Sequence, residues 1–546
     1  MAELSKLQIR ARVLSVVSRI KTVREYNEDL LKKLYSELED IEDRHCVFDV
    51  FLKEYIKMNE REFVFAGCLL KELVDVDYIQ NSVFELLKSS NYSDEAKYKL
   101  VQLLRITECE FDYDSVPEYF ENPSDVIDSD TKKLLEKAVF NPEAMLDFLD
   151  FVSAVNKNDR NLLLQSLQLD YHGDSLANIV YPILYSDFDD DFKLKASEIL
   201  IEAKSSLAIE PFKYIIETSS NEELINTCRV GLKKLKLSGA TEQKAKEYFA
   251  DIVKSFSLSC CYTTMPDGSG NQAFIISREN VENKKFMLIA VVVNDIYGVE
   301  DCFGFYNISK QELSKIVDKF YNSEGQYKIT PAYIRTRLNE AYNLTIKNKN
   351  TFPYEFVCWD ALLKDIAPLP SGVEKEVEKS ADLINIKKND LLMLLTKEYS
   401  FRWYLKPGEN AALGNILDEI NNANDLEISY INNLILEREQ NVFDEKTLEF
   451  WKQRILQCVY LLCLNDKKED ADAFYSMLKS EDGMHIFKMV LMQRSIFNYF
   501  FSVREAAKEM AYTTNIFKKK KIEKEKIDVK KIESILNLLS INWIDG

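Results

Sequence analysis

The chain has 546 residues, 46% of them apolar and 29% charged, enough for a packed core under a charged surface. A formal net charge of −19 and a pI near 5 oppose non-specific binding to nucleic acid or to an anionic membrane, which both ask for a cationic surface. No apolar run approaches the roughly 18 residues of a bilayer span, and the N-terminal MAELSKLQIRARVLSVV is amphipathic, unlike the apolar core of a secretory signal.

Residues 1 to about 60 carry two apolar stripes, Val13, Val16, Ile20 and Val23, then Leu30, Leu34, Leu38 and Ile41. Their spacing of three and four predicts a pair of amphipathic helices capping a larger helical body. From 61 to 239, helix starts recur near Arg61, Asp94, Ser129, Asn158, Asp191 and Asn221, at intervals of 33, 35, 29, 33 and 30 residues. Most begin with Asp, Asn or Ser, which suit an N-cap or a first turn. Each leads into a second apolar segment, such as Tyr78–Leu87, Leu176–Tyr185 or Ala208–Ile216.

A helix pair returning every 30 to 35 residues resembles the HEAT/armadillo class of α-solenoids. The resemblance rests on period and pattern over residues 61 to 239. It implies stacked pairs that complete one another's core, with a long concave surface that binds other proteins.

Ser238-Gly239-Ala240-Thr241 is expected to end this array, and a connecting helix from Glu242 to Lys254 leads into the one strand-like passage, Phe256 to Ile308. Alternation at Leu258, Cys260, Tyr262 and Thr264, and again from Ala273 to Ser277, predicts two strands. Pro266-Asp267-Gly268-Ser269-Gly270-Asn271 joins them, with glycines to supply positive φ angles. Phe286 to Val293 is an unbroken apolar run, read as a central strand buried on both faces. Four of the 14 glycines lie in this passage (Gly268, Gly270, Gly298, Gly304). A capping box at Ser309 and Glu312 opens a helix to about Tyr321; Thr330-Pro331 opens a second, with an apolar face of Ile334, Leu338, Ala341 and Tyr342; a third covers Tyr354–Ile366.

Ile366-Ala-Pro-Leu-Pro-Ser-Gly372 has the composition of a linker. Beyond it, helices are predicted at Asp390–Tyr399, Ala412–Ile420, Glu427–Leu436, Lys446–Leu464, Asp470–Leu478, Met484–Tyr512 and Val529–Leu539. The fold class is therefore mainly α, in three parts: a helical-repeat domain over 1–240, a small α/β module over 241–367 and a helical C-terminal domain over 373–546.

The chemistry-bearing residues are sparse. His45, His172 and His485 are far apart and form no metal-binding or catalytic pattern. The ten cysteines are scattered without a C-x-x-C pair, which reads as reduced thiols in a cytoplasmic protein. DGSG lacks both phosphate-loop patterns and leads into a strand. Asp187-Phe-Asp189-Asp190-Asp191 lacks a calcium loop and fits a helix cap. Asp267, Asp295, Glu300 and Asp301 cluster in the strand passage, where carboxylates gathered after a central strand would hold Mg²⁺ or Mn²⁺ for hydrolysis. Arg278 and Arg335 offer anion contacts. So do Lys518, Lys519, Lys520 and Lys521, which open a stretch to Lys531 holding eight lysines against three acids.

The function expected from this reading is a non-catalytic cytoplasmic scaffold that binds protein partners through the helical array. It needs no cofactor, does not bind nucleic acid and does not span a membrane. The alternative is a metal-dependent hydrolase built on the four carboxylates; a third reading is nucleic-acid binding through the lysines of 518–531, with a steep salt dependence.

Overall fold

The computed structural model describes residues 6–22, 28–109, 116, 118–122, 134–139, 141–321, 325–423, 427–516 and 529–545, which are mainly helical around one small sheet. The chain divides into two compact units, Met1–Leu134 and Leu135–Gly546.

In the first unit the two stripes are the buried faces of α1 (Lys6–Thr22) and α2 (Glu28–Glu39): Val13, Val16, Ile20, Leu34, Leu38 and Ile41 all lie in its core. Val23 lies outside the described residues. A third helix, α3 (Arg44–Tyr55), follows where a pair was expected. Asp43 starts it by accepting a hydrogen bond from the Cys46 N–H, and Phe48, Phe51 and Tyr55 fill the space between neighbours. The Asn59–Glu62 capping box then opens α4 (Glu60–Lys71), Asp75 caps α5 (Val76–Leu87) and Ser93 caps α6 (Asp94–Ile106). Each cap satisfies an amide that the first helical turn leaves without a partner.

The second unit begins, after a helical turn at 134–138, with α7 (Pro142–Ala154). The Ser129 start expected for that turn lies outside the described residues. Three longer helices follow at nearly even spacing: α8 (Lys157–Asp170), α10 (Asp190–Ala203) and α12 (Glu222–Leu237), with α10 packed on both others. Asp189 caps α10 and, with Asp191, pairs with Lys157, so the aspartate run serves a helix start. The shorter α9 (Gly173–Val180) and α11 (Ile209–Thr218) alternate with them, and α13 (Glu242–Ile252) leads into the sheet.

The sheet is antiparallel throughout, in the order β4-β3-β2-β1-β5. Its strands are β1 (Phe256–Thr263), β2 (Asn271–Asn280), β3 (Phe286–Asn294), β4 (Gly298–Ile308) and β5 (Tyr327–Lys328). β3 is interior and buried on both faces, as its apolar run implies. On one face Ile275, Phe286, Leu288 and Ala290 pack with Leu313 and Val317 of α14 (Lys310–Phe320) and with Tyr321 just after it. The opposite face meets α15 (Pro331–Lys347) and α16 (Tyr354–Asp360): Phe274 touches Tyr333, and Gly304 leaves room for Trp359, whose ring atoms lie 2.3–2.5 Å from where a Cβ would stand. Both edges are occupied. Glu143 of α7 accepts the Tyr306 N–H of β4 at 2.8 Å, and the Asn465 amide pairs with both backbone groups of Lys328 in β5. Side chains here take the bonds that an open edge offers to another chain.

β4 differs from expectation. Glu300 and Asp301, expected to gather with Asp267 and Asp295 after the central strand, instead lie on this further strand. The preceding turn is tight enough to bring the chain straight back, because Asn294 Oδ1 accepts the N–H groups of Ile296 and Tyr297 and Gly298 takes φ +101°.

The C-terminal helices are α17 (Gly372–Ser380), α18 (Lys388–Leu395), α19 (Ala411–Asn422), α20 (Ile428–Val442), α21 (Glu445–Leu464), α22 (Lys468–Leu478), α23 (Glu481–Ile516) and α24 (Val529–Asp545). Trp403, Trp451, Phe474 and Phe487 form their aromatic centre. The boundaries drawn at 240 and 372 do not separate the contacts. Tyr185 hydrogen-bonds Tyr342, α11 packs on α15, and the β1–β2 turn is held by C-terminal residues: Trp403 Nε1 donates to Pro266 O at 2.8 Å and Gly268 N donates to Arg402 O at 3.2 Å.

Candidate functional site

The four carboxylates take separate roles. Asp267 closes its own turn, its Oδ1 accepting the N–H groups of Ser269 and Asn271 at 2.8 Å each. Asp295 meets Arg454 of α21 in a two-pronged ion pair, Nε to Oδ2 at 2.6 Å and Nη2 to Oδ1 at 2.8 Å. The third nitrogen, Nη1, donates to Gly268 O at 2.9 Å, so every guanidinium nitrogen is engaged. The pair is buried, with side chains 4% and 12% exposed. Gly270 at φ +84° passes so close that a Cβ would stand 1.8 Å from Asp295 Oδ1. Glu300 and Asp301 are exposed on β4. Because the sheet is antiparallel, the ligand crevice at the carboxyl ends of parallel strands has no counterpart here. Among the described residues no three His, Cys, Asp or Glu side chains are grouped to hold a metal.

Of the anion-contact residues, Arg278 is buried and pairs with Asp365 at 2.5 Å. Lys518, Lys519, Lys520 and Lys521 lie outside the described residues. Arg335 stands elsewhere, in the wall of a cavity of about 370 Å³ bounded by α11, α13, α15 and α16. Its position follows from the two-sided pattern of α15. Tyr333, Ile334, Arg337, Leu338, Ala341 and Thr345 are buried, with Tyr333 and Arg337 reaching Gln272 of the sheet. Residues 335, 339, 342 and 343, spaced by three and four, line the cavity. Tyr342, expected on the apolar face, therefore points to the cavity side and meets Tyr185 at 3.1 Å.

Within the cavity wall, Arg335 Nη1 donates to Asp360 Oδ1 at 2.6 Å and Nε donates to Asn339 Oδ1 at 2.8 Å. Asp360 is only 3% exposed, so this pair too is a buried one. Lys364 binds Glu210, stands 3.9 Å from Asp360 and lies 5.4 Å from the Phe249 ring centre. Glu210 keeps 41% of its side chain exposed; its partial burial would raise the carboxyl, but Lys364 close by, with help from Arg335 and the Tyr342 hydroxyl, holds it below the usual range. Burial and the neighbouring acidic groups push the Tyr342 phenol far up, so it is a neutral hydrogen-bonding group at physiological pH. Behind it Tyr185, Tyr214, Tyr342, Phe352 and Phe356 stack and interlock. At the rim Lys213 pairs with Glu242 at 2.5 Å, and Lys246 completes the edge.

The sequence singled out Arg335 alone of this group. Asp360 and Lys364 are four residues apart at the end of α16 and in the turn after it, but Glu210 comes from α11, and no local pattern joins any of the three to Arg335. Arg454 was missed for the same reason, 159 residues from Asp295.

The chain matches no family model, no curated protein and no solved structure.

Proposed function

We propose that this chain is a non-catalytic, cytoplasmic binding protein that engages protein partners through a HEAT-like helical array. The observation that carries this reading is the surface of α8 and α12. Leu162 and Leu169 on α8 are 61% and 79% exposed, and Val230 and Leu237 on α12 are 48% and 89% exposed. Each pair is seven residues apart, two turns along one face. Large apolar side chains in such rows are typical of surfaces that another protein covers. The concave side implied by the solenoid resemblance is less suited to this role, because α11, α13 and α7 are already packed against α15, α16 and the turn at 361–363. Our reading therefore assigns the partner to the outward faces. Ten unpaired cysteines and the absence, among the described residues, of a helix long and apolar enough to cross a membrane support the cytoplasmic setting.

The hydrolase alternative is weaker, since Asp295 is committed to Arg454 and Asp267 to its own turn. The test uses the full chain, because one ending near Gly239 would strip the cover from α11. Tagged wild type and the L169E/L237E variant are used to capture proteins from nuclease-treated extract. The reading expects a partner held by wild type and lost from a variant that melts like wild type. Equal capture by both contradicts it.

A further inference from the structure

The 370 Å³ cavity has a use that the scaffold reading leaves open. We infer that it is a binding site for a small organic anion with a planar, apolar body, an aromatic carboxylate or phosphate ester.

Charge is the first argument. The chain carries −19 overall, yet the cavity residues bring four cations (Lys213, Lys246, Arg335, Lys364) against three carboxylates (Glu210, Glu242, Asp360). A local excess of positive charge in an acidic protein favours an anion at that place. Hydrogen bonding is the second. Arg335 uses Nη1 on Asp360 and Nε on Asn339, and Nη2 has no partner among the described residues. A guanidinium fixed by two bonds, with its Nη2 amino group left over, is pre-organised for a ligand oxygen and gives up little entropy on binding. Lys364 is the second cation. Its counter-ion Glu210 has a side chain 41% exposed, so an incoming anion can share Lys364 with it.

Shape is the third argument. Tyr181, Tyr185, Phe249, Tyr342 and Phe356 give the cavity an aromatic lining. Aromatic walls take up a flat, weakly hydrated body well, and a bare inorganic ion gains nothing from them. Asn343 is exposed in the lining and its side chain makes no hydrogen bond among the described residues, so its amide is available to orient the ligand. The volume lies at the small end of ligand pockets, which points to a single ring with one charged group.

The test is direct binding to the full-length protein by ligand-observed NMR and calorimetry. The probes are benzoate, phenyl phosphate, benzyl alcohol and inorganic phosphate. Benzoate or phenyl phosphate should bind, and the tighter of the two identifies the anionic group. Benzyl alcohol and inorganic phosphate should each bind at least about tenfold more weakly. R335Q should abolish binding, N343A should weaken it, and R438Q, which breaks an exposed ion pair with Glu419 far along the chain, should leave it unchanged. N343A protects the test against misfolding of R335Q, because Asn343 supports no buried charge. The inference fails if wild type binds neither aromatic anion up to about 10 mM. It also fails if folded N343A and R335Q bind like wild type, or if inorganic phosphate binds as tightly as phenyl phosphate.

Discussion

Arg454 and Arg335 are both helix residues that reach across to a buried carboxylate, and the two pairs end in different situations. Arg454 spends all three nitrogens, two on Asp295 and one on Gly268 O, against a turn whose glycines leave no room for a side chain. Arg335 spends two, and the third stands at a cavity lined with aromatic rings. Similar chemistry thus gives a closed clasp in one place and an open site in the other. The lesson is that a buried ion pair says little about function until its unused donors and the space beside them are known.

Removing one partner separates the two most sharply. R454L strands Asp295 in a dry turn and should cost about 3–5 kcal/mol in chemical denaturation. G270A attacks the same clasp through its backbone, combining an unfavourable φ with a clash against Asp295. It should cost about 2–3 kcal/mol, read from the denaturation midpoint. R335L should cost less, about 1–3 kcal/mol, because Lys364, 3.9 Å from Asp360, still stands beside the carboxylate left behind. A loss equal to that of R454L would show that Lys364 does not offset the missing guanidinium. Glu210 offers a milder probe. Its folded carboxyl lies below the usual range, so its contribution is present above the unfolded value near 4.5 and is lost as pH falls through the folded value. Melting against pH should show this acid limb in wild type and not in E210Q. E300Q and D301N, on the exposed side of β4, should change stability by no more than about 0.5 kcal/mol in the same assay.

The helices of this fold were legible because each carries its own punctuation. Ser309 with Glu312, Thr330 with Pro331 and Asp189 are caps that act within four residues. β3 was legible because an interior strand needs a continuous apolar run. The β4 strand was not, since its exposed residues Glu300 and Asp301 look like a polar loop until the chain pairs with β3, where Asp301 faces Val292 and Glu300 is the extra residue of a bulge. The site was mostly hidden. Arg335 could be named, but its value depends on Asp360, Lys364 and Glu210, which local sequence cannot place near it. Asp295 looked like a metal ligand for the same reason: its cation comes from another helix, far along the chain.

Asp295 is a structural carboxylate, closed off by Arg454. Melting wild type and D295N with and without Mg²⁺, Mn²⁺ or Ca²⁺ tests that role. No metal should raise the wild-type midpoint, and D295N should melt lower in metal-free buffer. A midpoint raised by one metal in wild type and unmoved by it in D295N would contradict the account and restore the hydrolase reading.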